Sequence, residues 1–559
     1  MAETVAEIVA EIVVVVEIVD AVEIVDAVEI VADDANHNLL LESRGAILTG
    51  LPLFSWSCQM TRSVFTNVLR YPCSSGEPQD LFISNGLVQG WYPSGSVALS
   101  QGDIVHDMNG HWICSTFVDS HLHLLYTEQY HRQIQVQNLI STQLEQILSE
   151  SLSETIIGHG WRDPFPETLG PDPRRFLDKH GNGRPVLLWN ADFHRVLVSS
   201  AVLELSGFNA GEHSGVLVEL EAEKAWNVIK PDPAQDVPGA CQRLLRNGIS
   251  AATTFDRGES IKALKETSPG DFGVYVRHGV PEEEFIESCK DEIPKPWGSR
   301  NDDFAARWIK IFLDGTLGSR TAWMKSDYSD DPGNTGVVRR SGESLTQAAI
   351  AAGSAGWGLA IHAIGDAAVA EASRAISVAK SRRESVDISD RIEHLQLLDP
   401  ADIPLIRSSG AVASLQPCHL YEDRQWMRSR WGLRSDHAIP FRELLDESIP
   451  VITGTDAPVE SLDPWADINA AVNRMDRNGN EKSEGPNQRV QFREAFHSKT
   501  AGAAEANYLP EGYGTLAPGS SADFQILDRN PEVVTCLENS GLSQVYTRGV
   551  LRWSKGECE

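Results

Sequence analysis

Apolar runs of strand length recur between residues 117 and 495 and alternate with helix-compatible stretches such as 343–356 and 366–383. The runs are STFVDSHLHLL, GISAATTFD, DFGVYVRH, RWIKIFLDG, WGLAIHAIGD, DRIEHLQLL, GAVASLQP and IPVITGTDAP. Eight strands that alternate with helices are the pattern of a parallel (β/α)8 barrel. The sequence therefore predicts an α/β fold with a TIM barrel over residues 117–495.

The connection after the first strand is too long for a simple barrel. About 125 residues separate the first strand from GISAATTFD, whereas an ordinary barrel of about 250 residues leaves room for only a short helix there. We interpret residues 130–240 as an insertion. Since active sites lie at the carboxyl ends of barrel strands, this insertion is a candidate lid.

Both ends of the chain differ from the middle. Residues 42–116 and 496–559 contain short β segments punctuated by turns, and they are predicted to form one composite β-sandwich domain. Residues 1–41 contain a repeated Val-Glu-Ile-Val-Asp-Ala unit. We interpret this segment as a low-complexity acidic extension, helical or disordered, without chemistry.

Charge and cysteine usage exclude several classes of partner. The chain has 79 acidic and 48 basic residues, a net charge of −31, which argues against nucleic acid and against anionic membranes. Carboxylates interrupt the apolar N-terminal repeat, and no basic segment precedes it, so neither a membrane span nor a secretory signal is predicted. The eight cysteines are scattered without CxxC pairs, as expected for reduced thiols of a cytoplasmic protein.

Candidate metal ligands lie at the predicted strand ends. His121 and His123 end the first strand, where residues two apart point to the same side. Polar residues in or after other strands are Lys310, His362, His394 and Asp456. The fold would bring them to one axis, and imidazoles with a carboxylate suit Zn²⁺, Fe²⁺ or Mn²⁺.

Several stretches resemble a known family in order and content. They are FVDSHLHLL, KIFLDGTLGSRTAWM, GLAIHAIGDAAV, RIEHLQLL, VASLQPCHL, PFRELLDESIPVITGTDAPVESLDP and GTLAPGSSADFQILDRNP. Over about residues 80–530 the chain resembles the metal-dependent amidohydrolase superfamily, in the YtcJ-like branch that includes N-substituted formamide deformylases. The resemblance implies a distorted (β/α)8 barrel with a composite β-sandwich.

The resemblance also implies roles for the ligand candidates. His121 and His123 would bind the more buried metal, and His362 and His394 a second one. Lys310, N-carboxylated, would bridge the two, and Asp456 would complete the buried site. The expected cofactor is one or two divalent ions, with zinc the expected metal. A hydroxide formed there would attack the carbonyl of a small-molecule amide, with Asp456 as general base and then general acid.

Further residues are candidates for contacts with the substrate. His194, in the insertion, could hydrogen-bond the substrate or the oxyanion and is counted as catalytic. The substrate-binding candidates are Trp161, Arg320, Gln416 and His419. Lid packing for Trp161 and loop support for Arg320 are the competing interpretations. The family's usual Gly-Trp-Asp is Gly-Trp-Arg at Arg162, which weakens the inference about lid contacts.

Alternative functions remain open at this point. A cyclic amidase or a heterocycle deaminase could use the same scaffold, although Lys310 argues against deamination. A non-catalytic binding or regulatory barrel would be expected to lack a ligand, and all six are present. A homodimer is possible for this fold.

Overall fold

The computed structural model describes residues 28–33, 38–43, 62–72, 76–190, 195–211, 213–218, 220–290, 293–384, 387–475 and 484–556. The chain divides into two units, Met1–Thr61 and Arg62–Glu559. In the first unit, Val28–Asp33 and Asn38–Ser43 pair as two antiparallel strands. The helical or disordered state expected for this extension does not hold for these two segments. The first of them contains the β-branched residues Val28, Ile30 and Val31, which favour extended backbone.

The second unit is built around eight parallel strands. They are β1 (Phe117–Leu122), β2 (Ile249–Thr254), β3 (Tyr275–Pro281), β4 (Phe304–Phe312), β5 (Gly358–Ala363), β6 (Arg391–His394), β7 (Val412–Leu415) and β8 (Val451–Thr453). Each strand pairs with the next in chain order. The ring closes beyond the end of β8, where Asp456 N donates to His121 O (2.7 Å) and His123 N donates to Ala457 O (2.8 Å).

Helices surround the barrel and bury the outer faces of its strands, as parallel sheets require. The α-helices are Leu124–Arg132, Val237–Arg246, Ser260–Glu266, Glu282–Ser288, Gly342–Ser354, Asp366–Arg382, Ile403–Ser409, His419–Trp431, Phe441–Asp446, Pro464–Asn473, Phe492–His497 and Ala501–Ala506. Short 3₁₀ turns are Pro233–Asp236, Pro269–Phe272, Pro400–Asp402, Gly432–His437, Pro486–Gln488, Pro531–Val533 and Leu537–Asn539. Among the described residues, no helix is both long and apolar enough to cross a membrane.

A separate α/β layer lies in sequence between β1 and β2. Its five strands, in sheet order, are Val216–Val218, Arg195–Val198, Val186–Asn190, Ile156–Trp161 and Ile134–Gln135. Its helices are Ser141–Glu150, Phe165–Thr168, Pro173–His180, Ser200–Leu205 and Leu220–Ile229. Leu177 and Leu188 belong to one of the two hydrophobic clusters that pack on this sheet. The layer therefore has a core of its own.

A second eight-stranded sheet combines early and late segments of the unit. Its early strands are Arg62–Arg70, Gln79–Ser84, Leu87–Pro93, Ile104–Asp107 and Trp112–Ser115, and its late strands are Phe524–Leu527, Leu542–Thr547 and Val550–Ser554. The two groups join where Phe524–Leu527 pairs antiparallel with Trp112–Ser115. An eight-stranded barrel with additional sheets confirms the predicted fold class.

His278 in β3 is a buried histidine away from the strand ends. Its side chain is fully buried, and neither ring nitrogen has a hydrogen-bond partner within the described part of the chain. Burial lowers the pKa of His278 to about 3. The neutral ring therefore contributes a stability term that is complete above pH 6.5 and is lost as the pH falls toward 3, because only the unfolded chain binds the proton.

We expect His278→Leu to remove this dependence. For each unit by which the pH falls below 6.5, the free energy of unfolding of the variant should rise by about 1.4 kcal/mol relative to that of wild type. Urea unfolding of both proteins between pH 7.5 and 5 measures the difference. A constant difference across this range would contradict the prediction.

Candidate metal centre

A cavity of about 400 Å³ opens at the carboxyl ends of the barrel strands. All six predicted ligands line it: His121, His123, Lys310, His362, His394 and Asp456. The barrel explains the convergence, because carboxyl ends of parallel strands meet at one face. Residues separated by more than three hundred positions thereby share one small volume.

Two of these side chains are placed by unusual backbone conformations. His394 ends β6 with φ of 72°, and Asp456 follows β8 with φ of 57°. Positive φ is uncommon outside glycine and costs free energy. Such conformations cluster at functional sites, and here they occur where the strands end and the chain turns at the cavity.

Asp456 stands among three imidazoles. Its Oδ1 atom lies 3.6 Å from His121 Nε2 and 3.5 Å from His123 Nε2. Its Oδ2 atom lies 3.4 Å from His419 Nε2. One ligand atom from each of His121, His394 and Asp456 falls within 4.8 Å of the others, close enough to hold one ion.

Hydrogen bonds at one ring nitrogen leave the other nitrogen of two histidines free to bind a metal. His121 Nδ1 lies 2.6 Å from Glu393 Oε2, and His362 Nε2 lies 3.1 Å from Gly315 O. These contacts leave His121 Nε2 and His362 Nδ1 as the remaining ring nitrogens. Within the described residues, His394 Nδ1 and Lys310 Nζ are buried without any hydrogen-bond partner. A buried polar atom without a hydrogen-bond partner lowers the stability of the fold unless a bound ligand or ion contacts it.

Burial sets the protonation states of the cavity. It lowers the pKa of His121 to about 4 and that of His362 to about 3, with the Lys310 charge adding to both effects. Burial also lowers the pKa of Lys310 to about 8. Neutral imidazoles, and an amine that loses its proton near neutral pH, are the states required for metal ligation.

The pKa values of His419 and Asp456 are shifted in opposite directions by the charges around them. Burial would lower the pKa of His419, but the carboxylates of Asp456 and Glu460 outweigh it and hold this pKa well above the usual range. Burial would raise the pKa of Asp456, but His121, His123 and His419 together hold it well below the usual range. The arrangement favours a carboxylate beside an imidazolium.

Of the other residues predicted to contact the substrate, some lie at the cavity and some lie elsewhere. His419 lines the cavity, whereas Gln416 is buried beside the end of β7 and does not line it. Trp161 belongs to the core of the inserted layer, where its Nε1 donates to Leu188 O (2.7 Å). Arg320 pairs with Asp330 (Nη2 to Oδ2, 2.8 Å) outside the cavity lining. His194 lies outside the described residues.

Four acidic residues at the site were missed by the sequence analysis. Glu393 contacts His121 from within β6, and Glu422, Asp423 and Glu460 line the cavity. A carboxylate within an apolar strand, as in RIEH, is the signal that could have revealed Glu393, because buried charges require a partner.

Gly454 provides the close approach between β8 and β1. A Cβ atom at this position would collide with the backbone nitrogen of His121 and lie 2.7 Å from the His121 Cβ. We expect Gly454→Ala to lower the free energy of unfolding by about 1–3 kcal/mol and to weaken metal binding, because β1 must shift. Thermal unfolding and metal titration test this, with Gly211→Ala as an exposed control. Unchanged metal binding in Gly454→Ala would contradict the prediction.

Comparisons with known proteins agree with the fold and the cavity. The model of the amidohydrolase family matches residues 105–550. The putative amidohydrolase YtcJ of Bacillus subtilis (strain 168) is 28% identical over 463 residues, which are 76% of this chain and 85% of that protein. The N-substituted formamide deformylase of Arthrobacter pascens is 25% identical over 420 residues, covering 69% of this chain and 76% of that protein.

A solved structure shares the architecture. The crystal structure of an uncharacterized metal-dependent hydrolase from Pyrococcus furiosus superposes with a TM-score of 0.71 at 26% identity, covering 84% of this chain and all of that one. The donor set of the cavity and these relatives support hydrolysis with a divalent metal as the general activity. With a family model that spans most of its length, the chain belongs to the amidohydrolase family.

Proposed function

We propose that this protein hydrolyses linear C–N bonds of small-molecule amides, with a divalent metal, zinc being the expected ion, in the cavity of the barrel. The observation that carries the proposal is the convergence of the six ligand candidates on one cavity, with Lys310 Nζ buried and unpaired among them. The similarity to a protein named N-substituted formamide deformylase supports a linear amide over a ring.

The residues present fit such an ion. His394 Nδ1 and Lys310 Nζ lack partners in the described structure, and His121 Nε2 faces the Asp456 carboxylate. With two ions bound, His121, His123 and Asp456 would hold one and His362 with His394 the second. With a single ion, His121, His394 and Asp456 are the ligands whose atoms lie within 4.8 Å of one another. A divalent ion bound there would supply Lewis-acid polarisation of the amide carbonyl and would acidify a water molecule.

Lys310 must lose its charge or be modified to serve as a ligand, because an ammonium group has no lone pair. Its amine lies 4.2 Å from the Phe255 ring centroid and 5.1 Å from that of Phe312. Burial lowers the pKa of Lys310 to about 8, which makes the neutral amine accessible. Addition of the neutral amine to CO₂ forms an N–C bond and releases one proton to solvent. The resulting carbamate oxygens would join the histidines and Asp456 among the groups that hold the metal.

Asp456 is the group placed to move the proton. Its carboxylate would accept a proton from the attacking water and deliver it to the departing nitrogen, since an unprotonated amide anion is a poor leaving group. His419, held 3.4 Å from Asp456 Oδ2, would orient this carboxylate and balance its charge.

Metal content tests the proposal first. Protein purified without chelator should contain up to two zinc-like ions per chain by elemental analysis, and His121→Ala and Lys310→Ala should both contain less. His437→Ala serves as the control, because this histidine pairs with Glu443 and does not line the cavity. Absence of metal even after reconstitution would refute the proposal.

A substrate panel tests the bond. N-substituted formamides and N-acyl amines should be hydrolysed by the metal-loaded protein, with product amine as the readout. Cyclic amides and amino heterocycles are the comparison compounds. Turnover confined to those comparison compounds would replace linear amide hydrolysis with the alternative chemistry.

A further inference from the structure

Glu393 is a buried carboxylate that none of the predicted metal roles uses. It precedes His394 in β6, and its side chain is completely buried. Arg391, two positions earlier in the strand and projecting to the same side, is also completely buried. Two charges at this depth require specific partners, since isolated buried charges are strongly disfavoured.

The partner of the first Glu393 oxygen is a candidate metal ligand. Glu393 Oε2 accepts from His121 Nδ1 at 2.6 Å, which is a short contact between fully buried groups. The opposite ring nitrogen, His121 Nε2, faces Asp456 Oδ1 at 3.6 Å. An imidazole that donates through Nδ1 keeps its lone pair on Nε2, so the contact determines which nitrogen is available to an ion.

Arg391 holds the Glu393 carboxylate. Its Nε atom forms an ion pair with Glu393 Oε1 at 2.8 Å, and its Nη2 atom donates to Glu393 Oε2 at 3.4 Å. Arg391 also donates to the backbone carbonyl of Ser120, the residue before His121, and to Asn507 Oδ1 at 2.9 Å. The guanidinium therefore fixes both the carboxylate and the strand that carries His121.

We propose that Glu393 is a positioning residue that fixes the tautomer and the ring orientation of His121 for metal binding. The inference rests on the metal binding proposed above. It assigns to Glu393 a role through His121, with no direct contact to the ion. Carboxylates behind metal-binding histidines commonly contribute in this way.

A purely structural role for Glu393 would be to neutralise Arg391. The chain offers a matched control, because Asp390 pairs with Arg383 at 2.6 Å and both side chains are 3% exposed. Asp390 precedes Arg391 in sequence and touches no candidate ligand. Asp390→Asn thus breaks a comparable buried ion pair next to the same strand without affecting the His121 ring.

The experiment measures metal binding on full-length, chelator-stripped protein. Zn²⁺ affinity is determined by competition with a chromophoric chelator, and the visible spectrum of Co²⁺-loaded protein reports the ligand geometry. We expect Glu393→Gln to bind Zn²⁺ about 10- to 100-fold more weakly than wild type and to alter the Co²⁺ spectrum. Asp390→Asn should lower the Tm but retain wild-type affinity and spectrum.

Wild-type affinity and an unchanged Co²⁺ spectrum in Glu393→Gln would overturn the inference. Equal weakening in Glu393→Gln and Asp390→Asn would overturn it as well, because general destabilisation would then suffice. If Glu393→Gln does not fold, Glu393→Asp decides, since it keeps the charge beside Arg391 but withdraws it from His121. Weakened binding in this variant supports the inference, and wild-type binding overturns it. Failure of wild type to bind any metal would instead refute the proposed function.

Discussion

Replacement of Asp456 by asparagine is expected to lower kcat by a factor of about 10³, within the range that general acid–base groups contribute. Asparagine has nearly the same shape and keeps an oxygen near His121 and His123, but it cannot accept and return a proton. The carboxylate also supplies the charge that holds the imidazolium of His419. Both effects act on proton transfer, and neither requires loss of the fold.

The measurement is kcat for the best amide from the panel, with metal content determined on the same samples so that turnover is compared per bound ion. Asp330→Asn is the control, since Asp330 pairs with Arg320 away from the cavity and should leave kcat unchanged. A fully metal-loaded Asp456→Asn protein with near wild-type kcat would exclude Asp456 as the proton carrier.

Removal of the Arg391 guanidinium should produce the largest loss of stability. We expect Arg391→Met to lower the free energy of unfolding by about 3–5 kcal/mol, because Glu393 would remain buried without its cation. The variant also loses the donor to Asn507 Oδ1. Thermal or urea unfolding of metal-free protein measures the effect.

Two further variants complete this test. Arg391→Met combined with Glu393→Met should recover part of the lost stability, since replacing both members of a buried ion pair removes the uncompensated charge. Arg529→Ala removes an exposed partner of Asp528 and should change the free energy of unfolding by less than about 1 kcal/mol. A small effect of Arg391→Met, similar to that of Arg529→Ala, would show that the buried pair is not important for stability.

Apolar runs of strand length that alternate with helix-compatible stretches were sufficient to predict the barrel. Parallel strands buried on both faces appear as continuous apolar runs, and all eight runs correspond to β1–β8. His121 and His123 could be chosen because of their spacing at a strand end. Lys310 could be chosen because a lysine within an apolar strand is rare.

Other features depend on contacts between residues that are far apart in sequence, and local sequence patterns could not predict them. Trp161 ends a strand, as a site residue would, but the sequence does not show that its ring packs into the core of the inserted layer. Glu393 is adjacent to a predicted ligand, yet its significance comes from His121, which lies far away in sequence. The positive φ of Asp456 likewise depends on how β8 meets β1.

The composite sheet has a consequence for the order of events during synthesis. The strand Trp112–Ser115 leads directly into β1, and its partner Phe524–Leu527 is translated only after the whole barrel. A nascent chain on the ribosome therefore contains His121 long before Asp456 exists to meet it. The six candidate ligands are therefore all present only once residue 456 has been synthesised, and a partial chain that ends before β8 is expected to lack a complete metal site.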